Sequence, residues 1–148
     1  MIRVLHVIGS LERGGAENIL ENVASRQANQ IIHVIVALSE QSEPTLKLQE
    51  SGVRIIRIGL REAVAQTTIS ARIIGVTTTI IKIVQTIRLE KPDIVQTWMY
   101  HSDLIGGLVA KLLRIPVIWG IFLSNLDKAY YKLPTRLIIR VVSRLSRV

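Results

Sequence analysis

The chain has 148 residues, 49% of them hydrophobic and none of them cysteine, enough for one domain with a full core and too few for two ordinary ones. The lack of cysteine excludes a disulfide framework and a thiolate metal site, leaving His6, His33 and His101 as the only histidines a metal could use. Nineteen basic against eleven acidic residues give a formal charge of +8, which admits nucleic acid, anionic lipid or phosphorylated ligands, while aromatic residues at 4% argue against single-stranded nucleic acid.

Met1-Ile2-Arg3-Val4 runs directly into a strand pattern, Ile2 to Ile8, without the charged leader of a secretory signal, so a cytoplasmic chain is expected. Leu11-Glu12-Arg13-Gly14-Gly15-Ala16-Glu17 joins that strand to an amphipathic helix, Ala16 to Gln27, with Ile19, Leu20, Val23 and Ala24 on one face. Two adjacent glycines leave bare backbone at a helix N-terminus, where unpaired N–H groups and the helix dipole favour anions. Phosphate binding and a purely steric strand-to-helix turn both satisfy this motif. A strand over Ile31 to Leu38, a helix over Pro44 to Glu50 and a strand over Val53 to Ile58 follow. The next helix, Ile73 to Leu89, contains Thr77, Thr78 and Thr79, poor helix formers that leave a strand reading open. Lys91-Pro92-Asp93 leads into a strand, Ile94 to Trp98, then come a helix, Ser102 to Leu113, and a strand, Val117 to Phe122. Leu104 to Leu123 has the length of a membrane span, but Lys111, Arg114 and Pro116 interrupt it, so a soluble helix followed by a buried strand fits better. The last helix, Pro134 to Val148, sets Arg136, Arg140, Arg144 and Arg147 on one face and Leu137, Ile138, Val141 and Leu145 on the other. Such a face can be simply solvated or can rest on anionic lipid.

The strand-length runs are β-branched and continuous rather than alternating, as in strands buried on both faces of a parallel sheet. Five of them alternating with helices predict a doubly wound, three-layer α/β/α Rossmann-like domain, strand order 3-2-1-4-5, with ligands outside the carboxyl ends of the strands. That edge would gather Gly14-Gly15-Ala16-Glu17, Tyr100-His101-Ser102-Asp103 and Ser124-Asn125-Leu126-Asp127. Ser102 can serve there as an N-cap, and Asp103 can complement the helix dipole. His101 is either satisfied by a loop carbonyl or catalytic, His6 reads as a core histidine, and His33 as a strand residue with no partner pattern. Neither the G-x-G-x-x-G fingerprint nor a P-loop follows the first strand, which excludes the usual dehydrogenases and P-loop NTPases. Gly9-Ser10 stands where a phospho-receiver domain would need acidic residues.

The Gly14-Gly15-Ala16-Glu17 turn, the segment Lys91 to Leu104 with its Thr97-Trp98-Met99-Tyr100-His101, and the stretch Gly120 to Asp127 together resemble the N-terminal domain of a family-four glycosyltransferase of the GT-B fold. The resemblance implies a retaining, metal-independent transferase, with no cofactor, that moves a sugar from a nucleotide-sugar to a glycan or glycolipid acceptor. It implies that Gly14 and Gly15 contact the donor diphosphate and that Glu17, Tyr100, His101, Asp103, Ser124 and Asn125 face the acceptor, with His101 the candidate catalytic residue. It also implies a role in polysaccharide assembly, without nucleic-acid partners.

Two departures qualify the resemblance. Where the family carries a histidine at the end of the fifth strand, this chain has Leu123, which can neither donate nor accept a hydrogen bond. The chain is also expected to be the N-terminal half alone, with the donor-binding domain and its Glu-x7-Glu pair absent and supplied, if at all, by a separate chain. Two readings follow: the acceptor-binding half of a transferase, peripheral to the inner face of the plasma membrane through its terminal arginines, or a non-catalytic binding module of the same origin.

Overall fold

The computed structural model describes residues 1–12, 14–26, 30–41 and 43–120. Leu123, Ser124, Asn125 and the helix expected from Pro134, with Arg136, Arg140, Arg144 and Arg147, fall outside the described residues. Strands β1 (Ile2–Ile8), β2 (Ile31–Ala37), β3 (Arg54–Arg57), β4 (Ile94–Trp98) and β5 (Val117–Gly120) form one sheet in the order β3-β2-β1-β4-β5. Every pairing is parallel, with Leu5 opposite Val34 on one side and Val95 on the other. The expected Rossmann-like topology is the one observed.

Side chains of successive strand residues point to opposite faces, and both faces here are covered. Leu5, Val7, Val34, Val36 and Val95 pack with Ile83 and Ile87 of α4 (Ile69–Glu90). Ile8, Ile35, Ala37 and Trp98 pack on the opposite face with α1 (Gly15–Arg26) and Leu48 of α2 (Leu46–Glu50). The inward stripe of α1 is Ala16, Leu20 and Ala24, at the i, i+4, i+8 spacing of a helix face, so Ile19 stands exposed rather than on the core side. In α4 the threonine objection is answered locally: the hydroxyls of Thr77 and Thr79 donate to the carbonyls of Ile73 and Gly75, 2.8 Å away in each case. Thr68 caps the start of that helix, and Lys91 ends it in a left-handed turn before Pro92. A short helix that the sequence pattern did not reveal, α3 (Leu60–Val64), follows β3.

The helix after β4 begins earlier than its residues suggested. It runs as α5 (Tyr100–Ser102), a π-helical turn (Asp103–Gly107) and α6 (Leu108–Leu112), with right-handed backbone across the junctions. Met99, not Ser102, is its N-cap, and Ser102 is buried inside it. Gly106 lets this helix lie directly on the sheet, since a Cβ there would sit 3.0 Å from the side chain of Val7. Among the described residues, no helix is long and apolar enough to cross a membrane.

Three buried rings link the central strands. The Trp98 indole N–H donates to His6 Nδ1 at 3.2 Å, which leaves His6 Nε2 to donate to His33 Nδ1 at 2.9 Å. His33 is therefore partnered, contrary to the sequence pattern, and His6 is the core histidine expected. Burial, with the facing His33, lowers the His6 pKa to about 3, and burial lowers that of His33 as well. An unfolded histidine takes up a proton below about 6.5, whereas folded His6 resists protonation down to about 3. Stability is therefore full above the unfolded pKa and falls as the pH drops through that window. Urea unfolding at neutral and acid pH should show this loss, up to ~1.4 kcal/mol per pH unit for one proton. A His6→Gln variant should show a shallower pH dependence than the parent.

Candidate functional site

A parallel sheet sends all its carboxyl ends to one edge, and the loops leaving that edge enclose a cavity of about 390 Å³. Its wall draws on the loop after β1 (Gly9, Ser10), on Glu17 of α1, on Leu60, Arg61 and Val64 of α3, and on Met99, His101 and Ser102 after β4. The sequence placed the chemistry on this edge. Of the expected residues, Glu17 and His101 line the cavity, as does Ser102; Gly14, Gly15, Tyr100 and Asp103 do not.

Met99 explains how His101 arrives there. Its backbone, at φ 71 and ψ 156, is a conformation that L residues rarely adopt and that costs ~1–3 kcal/mol. The turn lets the helix start immediately after Trp98, whose indole is held by His6, and the Met99 carbonyl then accepts from Asp103 N at 3.0 Å. Such strained backbone concentrates at binding sites, and so do π-helical turns like the one that follows. His101 lies at the exposed rim with its ring centroid 4.3 Å from that of Tyr100. Partial burial lowers its pKa, which favours the neutral imidazole, able both to donate and to accept.

Ser102 Oγ and Asp103 Oδ1 are buried and, among the described residues, have no hydrogen-bond partner. Asp103 faces away from the cavity toward β4, where a hydrogen bond with Thr97 opposes the effect of burial; burial wins and raises its pKa to about 6. Asp103 therefore sits beneath the site as a buried carboxyl, not at the mouth of the helix complementing its dipole.

At the other wall, Gly15 is the first residue of α1 and Gly14 precedes it, the Gly14 carbonyl accepting from Asn18 N at 3.1 Å. The Glu17 carboxylate folds back over Gly14 and lies where a Gly14 Cβ would project, whereas a Cβ on Gly15 meets nothing within 4 Å. The anion-favouring end of α1 is thus covered by the chain's own carboxylate. Arg61, whose guanidinium lies 3.5 Å from Glu12, adds a cation at the rim that the sequence reading missed because α3 itself was missed. Beside it, hydrogen bonds from Ser39 Oγ and the Glu40 N–H hold Glu62 in place at 2.8 and 3.0 Å. Although burial opposes it, these bonds hold the Glu62 carboxyl below the usual range. Among the described residues, no three histidine, cysteine or carboxylate side chains come together as a metal site.

Residues 13–148 match the family model for Glycosyltransferase Family 4. Solved structures share the fold at low identity. Anabaena Alr3699/HepE, solved with UDP-glucose, is 15% identical with a TM-score of 0.69 over 99% of this chain and 35% of its own. MurG of Acinetobacter baumannii is 16% identical with a TM-score of 0.68 over 99% of this chain and 40% of its own. The UDP-GlcNAc 2-epimerase of Methanocaldococcus jannaschii is 17% identical with a TM-score of 0.65 over 98% and 38%. The chain thus spans between a third and two fifths of the length of these structures. No curated protein matches the chain by sequence.

The Glu17 carboxylate over Gly14 makes those two residues energetically coupled. Gly14→Ala should be less favourable in the parent than in a Glu17→Ala background, with a coupling of roughly 0.5 kcal/mol or more in a double-mutant cycle of urea midpoints. Gly15→Ala, with open space around its Cβ, should raise stability by ~0.5–1 kcal/mol.

Proposed function

The chain belongs to Glycosyltransferase Family 4, and from that premise we propose that it provides the acceptor-binding half of a retaining transferase that moves a sugar from a nucleotide-sugar to a glycan or lipid-linked acceptor. The observation that carries this reading is the cavity at the carboxyl edge, which Glu17 and His101 both line, Glu17 being in the first turn of the helix that begins at Gly15. In Alr3699/HepE, a protein of the same fold, the bound molecules are UDP, glucose and UDP-glucose. The shared fold also serves epimerases, so the family match favours transfer over epimerisation.

In this reading the Gly14 and Gly15 N–H groups approach the donor diphosphate, stabilising the charge that develops as the nucleotide departs. Glu17 must then swing off Gly14, exchanging one anion for another at the helix end. It and His101 line the acceptor pocket, the neutral imidazole hydrogen-bonding a sugar hydroxyl, while Tyr100 fixes the imidazole by ring contact. Asp103 supports the pocket from beneath. The family resemblance assigns Ser124 and Asn125 to the acceptor side as well. No metal or organic cofactor takes part, and a second domain holds most of the nucleotide-sugar. Peripheral contact with anionic membrane through Arg136, Arg140, Arg144 and Arg147 would bring the chain to lipid-linked acceptors from the cytoplasmic side.

Leu123, standing where the family's histidine contacts the transferred sugar, favours a second reading, a binding module without turnover. Both readings assign only the margin of the nucleotide site to these 148 residues. Calorimetry with UDP should therefore give no binding tighter than about 1 mM. Amide NMR shifts at higher UDP should be confined to Gly14, Gly15 and Glu17. Tight binding would contradict both readings.

A further inference from the structure

Helix α4 carries an apolar stripe that the core does not use. Thr79, Ile83, Thr86 and Ile87 are buried on its inner side, while Ile73, Ile74, Ile80 and Ile81 stand between 38% and 66% exposed. Single exposed apolar side chains are ordinary, but four on one helix face make a patch of the kind that marks an interface. At about 100° per residue Thr77 lies at the centre of the stripe, with Ile73 and Ile81 about 40° to either side and Ile74 and Ile80 about 60°. Helix α3 leaves the stripe open: it packs on the far side, where a Cβ on Gly75 would lie 2.7 Å from the Ala63 Cβ.

The stripe is symmetric about Thr77, since Ile73-Ile74 precede it at the same separations at which Ile80-Ile81 follow it. A patch that pairs with its own copy through a two-fold axis must be complementary to itself, and this one is. With a second copy laid antiparallel and Thr77 on the axis, Ile73 comes beside Ile80 of the other copy and Ile74 beside its Ile81. Each such pair differs by only about 1.5 Å in height along the helix. Burial of Thr77 leaves no donor unmet, because its hydroxyl already donates to the Ile73 carbonyl at 2.8 Å.

Charge is kept off the same line. Between Ile69 and Gln85 the charged residues are Arg72 and Lys82, and both lie about 140° round the helix from Thr77. Arg88 stands about 16 Å along the axis from Thr77, past the start of the other copy's helix at about 12 Å. A stripe without charge offers nothing for a partner's ions to match, whereas its symmetry matches a second copy of itself.

We propose that the outer face of α4 is a homodimer interface, two copies of the chain packing antiparallel through Ile73, Ile74, Thr77, Ile80 and Ile81. The overlapped helices run about 24 Å. They bury about 1,000 Å² in total, the lower limit for a specific interface, so the dimer forms reversibly at micromolar concentration. Each copy carries a formal charge of +8, so repulsion opposes pairing and salt strengthens it, the reverse of an ionic contact. The dimer requires neither donor nor acceptor and stands apart from the transferase reading.

Sedimentation equilibrium of the full chain from about 1 to about 200 µM tests this. The parent should pass from monomer to dimer across that range, and at lower concentration in about 500 mM salt than in about 50 mM. Ile73→Ser/Ile81→Ser should weaken the dimer about tenfold or more, because each isoleucine buried in the interface contributes hydrophobic free energy. Unaltered thermal melts of the dilute variant would show that the fold is intact. The chain has no cysteine, so Thr77→Cys places a single thiol on the axis and should cross-link two copies under mild oxidation. Lys82→Cys, exposed but off the stripe, should not. A monomer at every concentration overturns the proposal. So does a dimer that the isoleucine pair leaves intact, that Thr77→Cys fails to cross-link, or that Lys82→Cys cross-links as readily. A chain that stays monomeric and partitions onto phospholipid vesicles through these isoleucines overturns it in favour of a membrane surface.

Discussion

Everything at the candidate site depends on β1 being a central strand paired in parallel on both sides. Ile8 at its end faces Ala37 of β2 and Trp98 of β4 in register, so the loops after β1 and β4 leave the sheet side by side. That register brings the glycine turn and His101 to one edge although more than eighty residues separate them in sequence. Antiparallel pairing of either neighbour would send its loop to the opposite end and leave no shared wall.

The buried chain Trp98–His6–His33 secures the same three strands through side chains. Its value is specificity more than energy, since a net hydrogen bond contributes ~1 kcal/mol while an unmet buried donor costs more. With His6 held neutral, its ring accepts from Trp98 at Nδ1 and donates to His33 at Nε2, and the Trp98 indole, a donor only, is fixed at the residue before strained Met99. The position of His101 follows from that turn. A polar chain deep in the sheet thus reaches the cavity through one backbone link, which ties fold to site without any contact between His6 and the cavity itself.

Much of the architecture was legible because continuous β-branched runs have few other uses and because Pro92 and Pro116 mark where helices must stop. Strand order and all five strands follow the sequence pattern, the ends of the first four lying within a residue of those expected. What was not legible depends on three-dimensional neighbours. The partner of His33 is reachable only once the register sets Val4 opposite His33, which brings His6 two residues further along. Helix α3 is five residues long with no side-chain cap, too short to show a period, so Arg61 and Val64 were missed with it. Ser102 looked like an N-cap because a serine before an apolar run usually is one; the positive φ of Met99 moved the helix start two residues earlier.

The central claim is that the carboxyl-edge cavity, with His101 at its rim, is the acceptor side of a sugar transferase. The most direct measurement is incorporation of label from a panel of radiolabelled nucleotide-sugars into the lipid and glycan fractions of membranes from cells expressing the gene's entire coding region, with and without His101→Ala. The account predicts incorporation with one donor and a fall of about 100-fold or more in the variant. Incorporation that His101→Ala leaves unchanged, or none with any donor, would contradict it.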